Sequence, residues 1–199
     1  MPSFESISVF LEAHAALAYA TLFLGSYFET LIGVGFFIYG EIFFLPGAIL
    51  AGAGVLNIWI VTAALLLGGI FGDTTSYVIG RRYGMHAFRE NAWVFNLNNY
   101  ARGKQFFDAH GPKAVFLARF LGPISWVTPF LAGVYKLPYR TFLPYNVLGV
   151  IGGIGQFILI GYFFGATYTH ILALMQDYGP YFLGGLVLAG TLYYYLRRK

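Results

Sequence analysis

Four long apolar runs constrain the fold of this chain more than any other feature. They cover approximately residues 7–32, 55–80, 141–168 and 179–196. A helix needs roughly 20 apolar residues to cross a hydrocarbon core of about 30 Å. Only 10% of the 199 residues are charged, whereas soluble domains carry about 25%. The sequence therefore predicts an all-α integral membrane protein, organised as a single polytopic domain over residues 1–199.

The composition also excludes several kinds of site. Cysteine is absent, so the chain cannot form disulfides, thiol nucleophiles or zinc–thiolate centres. The histidines are scattered, with no pair four residues apart, and we expect no metal site or cofactor; they are His14, His86, His110 and His170. No nucleophile–base pair is visible, so we do not expect an enzyme. We also expect no nucleic-acid partner. The first run lacks the basic start of a signal peptide and is expected to remain in the protein.

Basic residues predict the orientation, because cytoplasmic loops of membrane proteins carry an excess of lysine and arginine. The segment 81–113 holds six of them, namely Arg81, Arg82, Arg89, Arg102, Lys104 and Lys113. Two further clusters are Lys136 with Arg140, and Arg197, Arg198 and Lys199 at the C-terminus. We expect all three clusters in the cytoplasm and the chain in the cytoplasmic (inner) membrane. Both termini are then cytoplasmic, and the run 7–32 crosses outward.

One short apolar stretch, 114–135, lies between two of these basic clusters. Because both of its ends are expected in the cytoplasm, it must enter and leave the membrane on the same face. Pro123 and Pro129 supply the helix breaks that such a re-entrant hairpin needs. The sequence therefore predicts one re-entrant hairpin at 114–135.

A second hairpin follows from counting the crossings backwards. Residues 33–56 then begin and end outside, and they predict a re-entrant hairpin bent at Pro46 and Gly47. The stretch "LAGAGVL" (50–56) resembles "LAGVYKL" (131–137) at the end of the other hairpin. Transporters often combine such inverted repeats with broken helices near the bilayer midplane. We therefore expect two opposed hairpins, each followed by a spanning helix, with further spanning helices at the N- and C-termini.

The less apolar segment 85–112 predicts helices at the cytoplasmic surface. Phe88, Ala92 and Phe95 recur at helical spacing, and basic residues surround them. Such an amphipathic segment could rest on anionic headgroups. The alternative is a connector that packs on the protein itself.

Ionisable residues within apolar segments are costly and are functional candidates by default. They are Glu29, Glu41, Asp73 and Arg119. If the hairpin turns converge, Arg119 faces carboxylates and could hold a phosphate through bidentate bonds. Glu41, in a medium of low dielectric constant, could exchange a proton near neutral pH. The alternative is an ion pair that only locks the hairpins together, and Glu29 is expected to snorkel to the outer surface.

Three stretches carry a more specific pattern: "GDTTSYVIGRRYG" (72–84), "HGPKAVFLARFLGPISWVTPFLAGV" (110–134) and "FLPYNVLG" (142–149). In order and spacing they resemble the DedA family, also called SNARE-associated Golgi or VTT-domain proteins. The resemblance covers roughly residues 25–168 and implies two opposed re-entrant hairpins with spanning helices. It also implies lipid transport, since bacterial members are associated with returning undecaprenyl phosphate or phospholipid across the cytoplasmic membrane, some with proton coupling. Eukaryotic relatives scramble phospholipids.

The resemblance also assigns residues. Glu41 matches the acidic position before the first hairpin break, although Glu29 could take that role, and Arg119 matches the arginine of the Arg-Phe motif. Secondary candidates are Tyr77, Arg81, Arg140 and Asn146, of which Tyr77 and Arg81 follow Asp73 in the Gly-Asp motif. The chain departs from the family at Ala48, where a second acid is frequent, and at Ser125, where a second arginine is usual. One arginine should hold a doubly charged phosphate less well, which favours a zwitterionic phospholipid.

Together with the ionisable residues in the apolar segments, the resemblance predicts a flippase or scramblase that moves a phospholipid or a polyprenyl phosphate, with protons as possible co-substrates. A proton or cation antiporter that uses the same carboxylates is the alternative. A non-transporting scaffold that recruits partners through residues 85–112 is a third. A homo-oligomer is compatible with each of them.

Overall fold

The computed structural model describes residues 13–84, 97–121, 125 and 127–167. The secondary structure of these residues is helical, without strands. The helices are α1 (Ala15–Thr30), α2 (Glu41–Gly52), α3 (Ile58–Tyr83), α4 (Leu97–His110), α5 (Lys113–Ala118), α6 (Thr128–Val134) and α7 (Tyr139–Thr167). The all-α prediction is confirmed for this part of the chain. The expected run 179–196 lies outside the described residues.

The two long helices α3 and α7 pack against each other in opposite directions. Gly69 of α3 lies against Val150 and Ile154 of α7. Further along α3, the Tyr77 ring stacks on Phe142, with the ring centroids 4.6 Å apart. Later residues of α3 therefore contact earlier residues of α7, so the two helices are antiparallel. Among the described residues, these two helices are long and apolar enough to cross a membrane.

α1 runs parallel to α3 and is joined to it by hydroxyl groups. Ser26 Oγ donates to the Leu65 carbonyl at 2.7 Å, and Thr30 Oγ1 donates to the Gly69 carbonyl at 3.2 Å. Each such bond satisfies a buried hydroxyl and contributes about 1 kcal/mol. The end of α1 therefore lies beside the middle of α3.

α2 runs back along α1, so the two helices form a hairpin. Gly25 of α1 lies against the Phe43 ring, and Gly47 of α2 lies against the Leu22 side chain. The turn of this hairpin spans residues 31–40, where Gly33 adopts a φ of 84° that favours glycine.

The bend predicted at Pro46 and Gly47 is wrong, because α2 continues through both residues. Pro46 lies in the second turn of the helix, where its missing N–H removes a single intrahelical hydrogen bond. Gly47 instead allows the close approach of α1. The hairpin arms are therefore α1 and α2, and the predicted hairpin limits of 33–56 are corrected accordingly.

The outward crossing expected for the run 7–32 is also wrong. α1 and α3 are parallel, and the backbone N–H of Asn57, just before α3, donates to the Tyr19 hydroxyl at 2.9 Å. Both helices therefore start at the same end of the molecule. A first helix that crossed outward to meet α3 would have to run in the opposite direction.

A second, shorter hairpin is formed by α5 and α6, within the predicted interval 114–135. Phe116 lies near Gly149 of α7, and Phe120 lies against Gly152, so α5 runs parallel to α7. α5 ends at Ala118 and α6 begins at Thr128. Pro129 is buried in the first turn of α6, a position where proline is tolerated. Pro123 lies outside the described residues.

The chain leaves the two hairpins through turns of the same construction. The N–H groups of Val55 and Leu137 each donate to the carbonyl oxygen five residues earlier, at 2.9 and 3.0 Å. The residue before each donor has a positive φ, 81° for Gly54 and 59° for Lys136. The turns fall in the two stretches that resemble each other in sequence. Gly54 corresponds to Lys136, so the structural match is shifted by one residue from the sequence match.

α4 covers the exit of the second hairpin. Phe107 is buried there, and the Tyr135 hydroxyl donates to the Tyr100 carbonyl at 2.8 Å. Burial raises the pKa of Tyr135, so this phenol remains a neutral donor. Part of the predicted segment 85–112 thus packs on the protein as a connector. Residues 85–96 lie outside the described residues.

Candidate functional site

A buried ion pair joins α3 to the second hairpin. The Asp73 carboxylate accepts a hydrogen bond from the guanidinium of Arg119, which directly follows α5. Asp73 is fully buried, and the Arg119 side chain is 8% exposed. An unpaired charge at such a depth would cost several kcal/mol, and the pairing offsets that cost.

α7 accommodates this pair through small and polar residues. A side chain at Gly149 would collide with the aliphatic stem of Arg119, because its Cβ would lie 2.9 Å from Cγ. Asn146 is buried beside Asp73. Neither polar atom of its amide, nor Asp73 Oδ1, completes a hydrogen bond within the described residues. The pair therefore lies next to polar atoms that can still accept or donate.

A cavity of about 560 Å³ opens on the other side of Arg119. It lies between the turns of the two hairpins and includes residues of α7. Its polar lining residues include Glu29, Glu41, Arg119, Ser125 and Gln156. Aromatic residues, among them Phe36, Tyr39 and Phe44, form much of the remaining wall. The arrangement offers a guanidinium on one side and two carboxylates on the other.

The carboxylates flank the turn of the first hairpin. Glu29 lies in the last turn of α1, and Glu41 is the first residue of α2. Gly40 lies close to Glu29, since a Cβ there would be 2.8 Å from Glu29 Cδ. Glu29 Oε2 is buried and has no hydrogen-bond partner among the described residues. Glu41 is exposed. Neither forms an ion pair in the described part of the chain. The lining has these two carboxylates and one guanidinium, that of Arg119, so acidic groups outnumber basic groups in the cavity.

Comparison of the sequence with known proteins assigns the chain to a family. The model of the VTT domain matches residues 38–163, which is more than half of the chain. The chain belongs to the DedA family of VTT-domain membrane proteins. Protein DedA of Escherichia coli (strain K12) is 32% identical over 177 residues, covering 87% of this chain and 78% of that protein.

Two further membrane proteins are similar to this chain. The inner membrane protein YohD of Escherichia coli (strain K12) is 29% identical over 184 residues, covering 91% of this chain and 90% of its own length. An uncharacterized membrane protein of Mycobacterium leprae (strain TN) is 33% identical over 127 residues, covering 63% of this chain and 57% of its own length. No solved structure matches the chain.

The structure brings together the four ionisable residues that the sequence singled out. Glu41 and Arg119 line one cavity, Asp73 is paired with Arg119, and Glu29 lines the same cavity. The snorkelling predicted for Glu29 is wrong, because its Oε2 is buried at the hairpin turn. A surface position for Glu29 requires α1 to cross the membrane outward, and the parallel packing of α1 on α3 rules this out.

The secondary candidates fall into two groups. Asn146 lies beside Asp73. Tyr77 is buried, and Arg81 donates to its hydroxyl at 2.8 Å and to the Leu137 carbonyl at 3.3 Å. Arg140 is exposed near these residues. Tyr77 and Arg81 of α3 and Arg140 at the start of α7 therefore lie together away from the cavity and do not line it.

Gln156 is a cavity residue that the sequence reasoning missed. It is an amide within the apolar run 141–168, and that was the available signal. Ser125 was noticed only as a departure from the family pattern, and it does line the cavity. The aromatic wall could not be recognised, because aromatic residues are abundant throughout the chain.

The alternative interpretation, an ion pair that only locks two elements together, fits the contact between Asp73 and Arg119. It does not account for the cavity or for two carboxylates placed at its wall. Glu29 Oε2 is buried without a hydrogen-bond partner among the described residues, which is destabilising unless a ligand or a proton satisfies it. The cavity is therefore the feature from which a function can be argued.

Proposed function

We propose that this DedA-family protein is a lipid transporter that moves a phospholipid, or a polyprenyl phosphate such as undecaprenyl phosphate, across the cytoplasmic membrane. The observation that carries the proposal is the cavity between the hairpin turns, with Arg119 on one side and Glu29 and Glu41 on the other. The headgroup would enter this cavity while the hydrocarbon chains remain in the bilayer. No covalent step is involved.

The position of the hairpins supports this proposal. The end of α1, where the first turn begins, lies beside Gly69 and Gly72 near the middle of α3. Arg119, at the end of α5, reaches Gly149 and Gly153 near the middle of α7. The hairpins approach these positions from opposite ends of the molecule. In a bilayer they would be two opposed re-entrant hairpins, and the similar turns that follow them favour an inverted repeat. The cavity would then lie near the midplane.

The orientation follows from the basic residues. Arg81 and Arg82 end α3, so we assign that end to the cytoplasm. The start of α1 then faces outside, together with Asn57 and the end of α7. A cytoplasmic C-terminus requires the run 179–196 to cross back.

The charges of the cavity suggest how a headgroup is held. Arg119 would contact the phosphate, and its pairing with Asp73 keeps the guanidinium in place. Glu29 and Glu41 would contact an ammonium group of the headgroup. With a single arginine, and with Ser125 in the position of the family's second one, the site favours a zwitterionic phospholipid over a doubly charged phosphate.

Transport of a fluorescent phospholipid in proteoliposomes tests the proposal, with lipid movement read from quenching by a reductant added outside. Arg119→Ala and Glu41→Gln are expected to abolish movement. Arg119→Lys keeps a charge beside Asp73 but loses the bidentate donor, and it should be strongly impaired while folding normally. Lys104→Gln removes a charge of the exposed helix α4 and should transport at the wild-type rate. Wild-type rates in the cavity variants would refute the proposal.

A proton or cation antiporter is the second candidate, and the excess of carboxylates in the cavity favours it. Such a protein would change the internal pH of vesicles when an ion gradient is applied, whether or not a labelled lipid moves. Ion-driven pH change that requires Glu29 and Glu41, without lipid movement by the wild type, would establish this alternative in place of lipid transport.

A further inference from the structure

A second groove lies at the basic end of α3. It has a volume of about 520 Å³ and is formed by the last turns of α3 and the start of α7. Its lining includes Thr74, Val78, Arg81, Tyr139 and Arg140, and it shares no residue with the cavity between the hairpins. The groove is therefore a separate site.

Two arginines give this groove its charge. Neither Arg81 nor Arg140 forms an ion pair with a carboxylate among the described residues. Arg81 is held in position because its Nη1 donates to the Tyr77 hydroxyl and to the Leu137 carbonyl. These contacts use only part of a guanidinium with five N–H donors. Two cations beside one groove without a counter-charge attract an anion.

The chemistry around the arginines suits a phosphate. The Thr74 and Tyr139 hydroxyl oxygens lie 3.5 Å apart, and both can donate to phosphate oxygens. Guanidinium groups bind such oxygens in a bidentate manner. The groove thus offers hydroxyl and guanidinium donors together.

An apolar surface extends from the groove along α3. Leu67, Phe71 and Val78 are 47%, 54% and 52% exposed, and their spacing places them on one face of the helix. Leu67 and Arg81 are 14 residues apart, so this face runs from near the middle of α3 to its basic end over about 21 Å. A lipid with a phosphate at one end and a hydrocarbon chain would match both parts, whereas inorganic phosphate would use only the basic end.

We propose that this groove binds the phosphate headgroup of an anionic membrane lipid through Arg81 and Arg140, with its hydrocarbon chain along the exposed face of α3. The assignment goes beyond transport through the cavity. It holds whether or not the bound lipid is subsequently moved.

The test uses the full-length protein in phosphatidylcholine nanodiscs, with phosphatidic acid that carries a photoreactive group in its acyl chain. Photoreactive phosphatidylcholine is the comparison lipid, and labelling is quantified and mapped by mass spectrometry. The wild type is expected to prefer phosphatidic acid and to be labelled within residues 67–78. Arg140→Gln should lower the preference at least about tenfold, because a charge-assisted hydrogen bond is lost. The double variant Arg81→Gln/Arg140→Gln should remove it.

Arg82→Gln is the matched control. Arg82 is also exposed in the last turn of α3, but it does not line the groove. Its replacement should leave most of the preference intact. A loss equal to that of Arg140→Gln would mean that diffuse surface charge attracts the lipid, and the proposed site would be refuted.

Four further results complete the test. Equal labelling by both lipids in the wild type would overturn the proposal, as would displacement of phosphatidic acid by millimolar inorganic phosphate, which indicates a site for the free anion. If Arg81→Gln lowers thermal stability by losing its bonds to Tyr77 and Leu137, the single variant Arg140→Gln decides. Glu41→Gln removes a carboxylate of the transport cavity and leaves the Asp73–Arg119 pair intact. It should keep the preference, and this separates the groove from the transport cavity.

Discussion

The two hairpins of this DedA-family protein are held in different ways. The first has arms of 16 and 12 residues and is joined to α3 by neutral hydroxyl groups, including those of Ser26 and Thr30. The second has arms of only 6 and 7 residues and is joined to α3 by the ion pair between Arg119 and Asp73. The short hairpin is nevertheless well buried, since all seven residues of α6 lie in the core. The ion pair adds a charged link to this apolar packing, whereas the links of the first hairpin to α3 are neutral.

This difference determines which charges can act on a ligand. Arg119 is partly committed to Asp73, and its position is thereby fixed. Glu29 and Glu41 form no ion pair among the described residues, because their hairpin is held by other contacts. The second hairpin therefore presents a cation whose position is fixed, and the first presents two carboxylates without such an ion pair among the described residues.

Breaking the ion pair should have the largest effect on stability. Asp73→Asn leaves the buried guanidinium without a counter-charge and should lower the free energy of unfolding by about 3–5 kcal/mol. The measurement is denaturant or thermal unfolding of the purified protein in detergent. The double variant Asp73→Leu/Arg119→Met should recover much of the stability but not lipid transport. If Asp73→Asn is as stable as the wild type, the second hairpin is not held by this pair.

Crowding the first hairpin should have the next largest effect. A Cβ at Gly72 would lie 2.1 Å from Thr30 Oγ1 and 2.4 Å from the Tyr27 carbonyl oxygen. Gly72→Ala should therefore push α1 away from α3 and lower the free energy of unfolding by about 1–3 kcal/mol. Gly155→Ala, on α7, is the control, because nothing lies within 4 Å of its Cβ. Equal stability of the two variants would contradict the close packing of α1 on α3.

Removing one hydroxyl link should have the smallest effect. Ser26→Ala deletes the donor to the Leu65 carbonyl and should lower the free energy of unfolding by about 1 kcal/mol. Thr21→Val removes an exposed hydroxyl that bonds only to its own helix and should change stability by less than about 0.5 kcal/mol. A loss at Ser26 as large as that of Asp73→Asn would remove the distinction between the hairpins.

Much of the candidate site could be predicted because its residues are unusual where they occur. Asp73 and Arg119 are ionisable residues in apolar surroundings, and the cost of burying a charge makes each of them conspicuous. Gln156 shows the limit of this reasoning. An amide is less costly to bury than a charge, so a polar residue in an apolar run is a weaker signal.

The sequence by itself determined that the chain is an α-helical membrane protein, because bilayer thickness sets the length of its apolar runs and basic residues mark their ends. It also supplied the ionisable residues of the site. Only the tertiary structure decided that Asp73 is the partner of Arg119, that Glu29 belongs to the cavity, and that the first hairpin turns at residues 31–40. These outcomes depend on which turns of two helices, distant in sequence, pack against each other. Apolar residues can pack in many alternative registers, so the local sequence does not determine which one forms.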